Sequence, residues 1–291
     1  MSFHKFIPQI EAARLAGEKT LRAAGLEPEP AEVTYAVEAH RWFWKPQTTR
    51  WLFIADSTVF TSAADLTAPE WQLCRQAIIP EFAAPETIPP KEYIGHIYCP
   101  GFGEIQIPNH VEAFRSDVIQ EFHHSFGFYL DGDLPLQQVP EVGPPDIEVL
   151  NQRVKGRYGR IQRASAQEIW LLDTSVHATH RGVGKGLPEG QCRLPEELVC
   201  ELQNQWWINY GKPLIDFLCE SEGQEPSVWV VGESLHQRLT QRQHPLLELR
   251  YADEHPIVKV RDADRRWMGK NAPGGNAREF GRELLVNALG E

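Results

Sequence analysis

Three apolar segments begin with tryptophan and end with the same residue types, an acidic residue and a hydroxyl residue close to it. These segments are residues 51–57, 170–175 and 229–234. When carboxylates share a crevice, like-charge repulsion and desolvation raise the pKa of at least one of them, and a general acid or base results. The residue types therefore predict proton-transfer chemistry, with Asp56, Ser57 and Glu233 as candidate catalytic residues.

The elements that must position these residues are strands. Short, nearly uninterrupted hydrophobic runs are typical of strands that are buried on both faces of a parallel sheet. In open α/β sheets the ligand crevice lies outside the carboxyl ends of the strands, so we expect the three acidic ends to converge on one polar pocket. Strands are predicted over residues 50–55, 168–173, 227–232 and 256–260, and helices over 8–25, 31–44, 146–164, 195–220 and 235–241.

Alternating strands and helices predict a three-layer α/β/α sandwich with a mostly parallel central sheet. Residues 1–45 are expected to form an N-terminal helical extension packed on the core, and residues 46–291 a single α/β domain. The chain has 42% hydrophobic and 24% charged residues, which is ordinary for a globular protein. No apolar run approaches the roughly 20 residues that span a bilayer, and the N-terminus has no signal-peptide core. A cytoplasmic location without membrane contact is expected.

The net charge of −11 is unevenly distributed. Residues 151–193 hold eight lysines and arginines against three aspartates and glutamates. An acidic protein is not drawn to duplex DNA by bulk attraction, because that affinity comes mainly from neutralising phosphates. A local basic segment can still hold one nucleotide or a short single strand, although the same charges also suit a solvated loop and helix face.

The second strand end also carries residue types that can bind a metal ion. His177 and His180 are three residues apart and follow Asp173, and the three strand-end carboxylates could instead hold magnesium for phosphate chemistry. Histidines at a polar strand end are more often hydrogen-bonded neighbours of the carboxylates. No metal site and no cofactor are therefore predicted, and a magnesium-dependent phosphohydrolase stays an alternative.

Several short motifs resemble those of the uracil-DNA glycosylase superfamily. The run from Trp51 to Thr58 stands where that family has a water-activating motif, and Leu171-Leu172-Asp173-Thr174 is similar to its Leu-Leu-Asn-Thr base reader. Ala272-Pro273-Gly274-Gly275-Asn276 stands where its last loop would be. His40-Arg41-Trp42-Phe43-Trp44-Lys45-Pro46 and Tyr98-Cys99-Pro100-Gly101-Phe102-Gly103-Glu104 look like segments of an uncharacterised branch. The resemblance covers roughly residues 38–285.

What the resemblance implies is a protein that binds a nucleobase, a nucleotide or short single-stranded nucleic acid, and that hydrolyses an N-glycosidic bond. Asp56 would orient or activate water and Asp173 would read the base. The remaining predicted substrate contacts are Phe60 or Phe102 stacked on the base, Ser175 and His177 beside Asp173, and Asn276 on sugar or phosphate. Since an ionised aspartate only accepts hydrogen bonds, it suits the adjacent N–H donors of guanine.

A binding or scaffold protein that keeps the fold without the reaction is the competing interpretation. The last loop of active family members carries a histidine, and residues 273–276 have none. Nine tryptophans and an acidic surface would suit a protein partner.

Overall fold

The structure, a computed structural model, describes residues 3–56, 58–78, 88–102, 147–181, 187, 191, 193–231, 233–249 and 267–268. Three predictions fall outside the described residues: Ser57, Asn276 and the strand over 256–260. All structural statements that follow concern the described part of the chain.

Helices and strands alternate along most of the described chain. The helices are α1 (Ile7–Ala23), α2 (Ala31–Phe43), α3 (Pro69–Ile78), α4 (Ile147–Ala166), α5 (Glu196–Trp206), α6 (Lys212–Glu222) and α7 (Glu233–Gln241). The strands are β1 (Trp51–Ala55), β2 (Ile169–Asp173), β3 (Ser227–Val231) and β4 (Trp267–Met268). Short 3₁₀ turns lie at Phe3–Phe6, Asp65–Thr67 and Pro245–Glu248.

The strands form one parallel sheet in the order β2-β1-β3-β4. β1 and β2 are buried at every position, as the uninterrupted hydrophobic runs predict. Ala55 pairs with Asp173, and Ile54 pairs with both Leu172 and Val230. The prediction of a mixed α/β fold with parallel strands is confirmed, and β1 to β3 lie within two residues of their predicted ends.

The N-terminal helices pack into the same hydrophobic core as the strands. Phe6, Ile10 and Trp42 are buried together with β1 and β2 in one cluster. The ring of Trp42 stacks on Phe6 with centroids 5.1 Å apart and meets Trp170 of β2 edge-on at 5.3 Å. Aromatic pairs at such distances add stability beyond their buried area, so α1 and α2 contribute to the core as well as covering it.

The helix predicted over residues 195–220 is continuous but changes its winding. Between α5 and α6 the five residues Trp207–Gly211 form a π-helical turn. This turn includes Tyr210, which is fully buried and hydrogen-bonded to Glu38 of α2 at 2.7 Å. Such π turns inside longer helices are uncommon and often lie at functional sites.

None of the helices in the described segments has the length and apolar content needed to cross a lipid bilayer.

Gly17 allows α1 to approach the segment after β2. A methyl group on Gly17 would lie 2.4 Å from Cδ2 of His177, which is buried. We expect Gly17→Ala to lower the free energy of unfolding by about 1–3 kcal/mol, because overpacking forces neighbours out of place. Gly156→Ala in α4 is the control: its methyl group meets nothing within 4 Å, so helix propensity should raise stability by about 0.5–1 kcal/mol. Urea denaturation measures both, and equal effects would contradict the close approach.

Candidate functional site at the carboxyl end of the sheet

The acidic ends of β1 and β2 do not share one pocket, which corrects the expectation from the sequence. Ala55 and Asp173 are register partners, so their side chains point to the same face of the sheet. Asp56 comes one residue later, and successive side chains of a strand point to opposite faces. The two carboxylates therefore belong to two separate clusters. Glu233, the third acidic end, is the first residue of α7, and its side chain lies outside the described part of the structure.

Asp173 lies in a cluster that we call the buried charge cluster. Its members are Glu38, Arg41, His96, Asp173 and Tyr210. Arg41 Nη2 donates to Asp173 Oδ2 at 2.6 Å, and His96 Nε2 lies 3.0 Å from the same oxygen. The backbone N–H of Tyr98 donates to His96 Nδ1 at 3.2 Å, so Nδ1 is an acceptor and the ring proton lies on Nε2.

The second carboxylate of this cluster balances the other end of the guanidinium group. Arg41 Nη1 donates to Glu38 Oε1, and the hydroxyl of Tyr210 donates to Glu38 Oε2 at 2.7 Å. Burial alone would raise the pKa of Asp173, but His96 and Arg41 lower it below its ordinary value. The cluster thus holds ionised groups in the core and ties α2 to β2 and to the π turn.

This environment does not support the predicted base-reading role of Asp173. The residue is 1% exposed, and Oδ2 is already engaged by Arg41 and His96. Arg41 itself is 1% exposed. The arrangement fits a structural ion pair better than a ligand contact.

Asp56 lies in a second, more open cluster, which we call the Asp56 cluster. Its members are Asp56, Thr174, Arg193, Gln203 and Arg238. Arg193 Nη2 donates to Oδ2 of Asp56, and Arg238 Nη1 donates to Oδ1 at 2.8 Å. The side chains of Asp56 and Arg193 are 21% and 30% exposed, whereas that of Arg238 is 4% exposed. Two guanidinium groups from distant segments therefore meet one carboxylate at the protein surface.

Gln203 of α5 is the fully buried member of the Asp56 cluster and contacts Thr174. Thr174 Oγ1 donates to the carbonyl oxygen of Asp56 at 2.8 Å, and Gln203 Nε2 donates to Thr174 Oγ1 at 2.8 Å. This chain of bonds fixes the amide orientation of Gln203. Gln203 is fully buried, and its Oε1 has no hydrogen-bond partner among the described residues. A buried acceptor of this kind costs about 1–3 kcal/mol, so it marks a place where a donor is missing.

Glu196 and His180 border the Asp56 cluster. Arg238 Nε donates to Glu196 Oε1, and the glutamate side chain is 59% exposed. The backbone of His180 bridges Val59 and Arg193. Burial lowers the pKa of His180; the charge of Asp56 opposes this shift, and Arg193 and Arg238 favour it. Among the described side chains of this cluster and its border, two arginines face two carboxylates, so their formal charges balance.

Ser175 and His177 hold the segment after β2. Ser175 Oγ donates to the carbonyl oxygen of His177 at 2.8 Å, and the backbone N–H of His177 donates back to Oγ at 3.1 Å. His177 Nε2 donates to the carbonyl oxygen of Arg14 at 2.9 Å. Both residues are buried, so their contacts support a role in anchoring α1 to the sheet.

The two predicted stacking residues are also largely covered. The guanidinium group of Arg181 lies 4.8 Å from the ring centroid of Phe60, which is 9% exposed. Phe102 is partly buried and packs against the core.

Of the predicted site residues whose side chains the structure describes, only Asp56 takes part in the Asp56 cluster. Sequence reasoning missed Gln203 and Arg238, which come from two helices far along the chain. Arg193 gave a partial signal, because it closes the basic segment over residues 151–193. Within the described residues, no group of three or more histidines, cysteines, aspartates or glutamates is arranged to hold a metal ion.

Comparisons with known proteins do not add a relative. A scan against protein-family models, a search of curated proteins and a search of solved structures found no match to this chain. The resemblance to uracil-DNA glycosylases therefore stays a prediction based on short motifs.

Proposed function

We propose that the protein binds a nucleotide at the crevice between β1 and β3, with Arg193 and Arg238 contacting its phosphate. The observation that carries the proposal is the place of the Asp56 cluster in the sheet. β2 and β3 lie on opposite sides of β1, so the strand order changes direction between β1 and β3. In doubly wound sheets the ligand crevice opens at this point, outside the carboxyl ends of the strands.

The Asp56 cluster joins the two sides of the switch point. Asp56 directly follows β1, and Arg238 lies on α7, the helix that follows β3. Their side chains are joined at 2.8 Å, so polar groups from both sides of the switch point already meet there. Guanidinium groups bind phosphate through two parallel hydrogen bonds, which makes arginine suited to this position.

The proposal includes the finer architecture, a three-layer α/β/α sandwich. Helices pack against different strands of the sheet: α4 contacts β2, and α7 contacts β3 and β4. Helices on both faces would leave the carboxyl edge of the strands as the open place for a ligand.

Binding is better supported by the geometry than the N-glycosidic hydrolysis that the sequence resemblance implies. A general base must lie within hydrogen-bond reach of the water that it activates. Both carboxylate oxygens of Asp56 accept hydrogen bonds from arginines, which places this residue to hold charged groups in position.

Isothermal titration with nucleoside monophosphates and the matching nucleosides tests the proposal. We expect a monophosphate to bind the wild-type protein, and Arg238→Gln to weaken its affinity by about tenfold to a hundredfold, the value of a charge-assisted hydrogen bond. Arg193→Gln, at a more exposed position, should act in the same direction. Arg22→Gln is the matched control, because Arg22 is 53% exposed and pairs with Glu18 away from the cluster.

Absence of binding by every nucleotide would reject the proposal and favour a scaffold protein. If Arg238→Gln and Arg22→Gln bound the monophosphate with equal affinity, the nucleotide would bind outside the Asp56 cluster.

A further inference from the structure

The Asp56 carboxylate occupies the groups that an anionic ligand would need. One oxygen accepts from Arg193 and the other from Arg238. A carboxylate and a phosphate present similar oxygen pairs to a guanidinium group, so only one of them can hold a given arginine edge at a time.

We propose that Asp56 is an internal competitor for the arginine pair, and that the ligand which displaces it carries a terminal, dianionic phosphate. This inference rests on the proposed function and names the ligand class of the same site. The phosphate takes the place of Asp56 on Arg193 and extends toward Arg238.

Arg193 is the arginine from which Asp56 is displaced. Its side chain is 30% exposed, against 4% for Arg238, so ligand reaches it first. Arg238 is also held by Glu196, which keeps it in place when Asp56 moves.

Release of Asp56 requires only a side-chain rotation. Its backbone carbonyl oxygen stays bonded to Thr174 Oγ1, and Thr174 stays bonded to Gln203. The end of β1 is therefore held while the carboxylate turns away from Arg193.

The charges of the arginine pair select the ligand class. Among the described side chains, Arg193 and Arg238 face the carboxylates of Asp56 and Glu196, and burial lowers the pKa of the adjoining His180, which disfavours its charged form. When Asp56 turns away, a dianionic phosphate monoester brings one negative charge for each guanidinium group. An internal phosphate of a nucleic-acid strand carries a single charge for the pair. The site thus favours a free nucleoside monophosphate over a strand.

Titration calorimetry with guanosine monophosphate and uridine monophosphate tests this inference. The monophosphate that binds the wild-type protein should bind Asp56→Asn about tenfold more tightly, because the substitution removes one competing charge and keeps the side-chain shape. Asp216→Asn is the matched control. It removes the same charge from an exposed pair with Lys212 on α6, and its affinity should equal that of wild type.

The monoanionic methyl ester of the same monophosphate tests the charge requirement. Wild type should bind the ester about tenfold more weakly than the monophosphate, and in Asp56→Asn this difference should be at least as large, because removal of a negative charge favours the dianion more than the monoanion. Equal wild-type affinities for ester and monophosphate would overturn the dianion assignment.

The failure of this inference is separable from failure of the proposed function. Weaker or unchanged binding by Asp56→Asn, with wild type binding normally, overturns the competitor role alone. No binding of any monophosphate by wild type overturns the nucleotide site itself. Circular dichroism checks folding. If Asp56→Asn does not fold, the wild-type comparison of monophosphate and methyl ester decides: weaker binding of the ester supports the dianion assignment, and equal binding overturns it.

Discussion

Replacing Arg41 with methionine is expected to lower the free energy of unfolding by about 3–5 kcal/mol, because the change leaves buried carboxylates without their counter-charge. Arg41 bonds to Asp173 on one side and to Glu38 on the other. All three residues are at most 1% exposed, so water cannot replace the lost contacts. Methionine keeps most of the side-chain length, which limits the part of the effect that comes from a cavity.

Urea denaturation of wild type and Arg41→Met measures this loss. Arg22→Gln serves as the control, because exposed ion pairs contribute about 0–1 kcal/mol and its loss should stay within that range. Adding Glu38→Gln and Asp173→Asn to Arg41→Met should recover part of the stability, since no buried charge then stays unpaired. A loss below about 1 kcal/mol for Arg41→Met would contradict the ionised state of the buried charge cluster.

Acidification from pH 7 to pH 5 is expected to lower the free energy of unfolding by about 5 kcal/mol. The cause is a set of histidines that burial keeps neutral. Desolvation lowers the pKa of His40, His177 and His244 to about 4 from an ordinary value of 6.5. His40 lies between the carbonyl oxygens of Glu92 and Tyr98, at 2.8 Å and 3.2 Å, yet burial still outweighs these contacts.

The sign of the effect follows from proton binding. Between pH 6.5 and pH 4 the unfolded chain binds protons on these histidines and the folded protein does not, so stability is present above pH 6.5 and is lost as the pH falls toward 4. The lowered pKa values of Asp173 and Glu11 act in a lower range, below 3.8 and 4.5 respectively, as these carboxylates become protonated.

Urea denaturation at several pH values measures the slope, which should correspond to an uptake of about three protons on unfolding near pH 5. In His40→Asn the slope should fall by about one proton, whatever the absolute stability of the variant. A free energy that stays flat from pH 7 to pH 5 would show that these histidines are accessible to protons in the folded state.

Periodicity and hydrophobic runs predicted most of the described elements. β1, β2 and β3 are covered by neighbouring strands and helices. A strand that is covered on both faces has apolar residues at successive positions, so an uninterrupted apolar stretch predicts it. α3 was missed, although Pro69 at its first position is a favourable helix start. Its residues follow a segment rich in turn formers, and its short length gives a weak periodic signal.

The site was less predictable than the fold, because it depends on side-chain direction. The sequence places Asp56 and Asp173 at strand ends, but a register offset of one residue sends their carboxylates to opposite faces. The partners of Asp173 and Asp56 come from distant helices: Arg41 precedes Asp173 by 132 residues and Arg238 follows Asp56 by 182. The spacing of residues within a short segment cannot predict contacts between segments so far apart in the sequence.

The central position of β1 also shapes how the chain folds. Trp51 pairs with Ile169 on one side and with Ser227 on the other. Both edges of β1 therefore pair with segments that are synthesised much later than β1 itself. Closing such large loops is entropically costly and slows folding. Until those segments arrive, the hydrophobic strand that leads to Asp56 has two open edges, and a nascent chain stalled at this stage would be prone to aggregate.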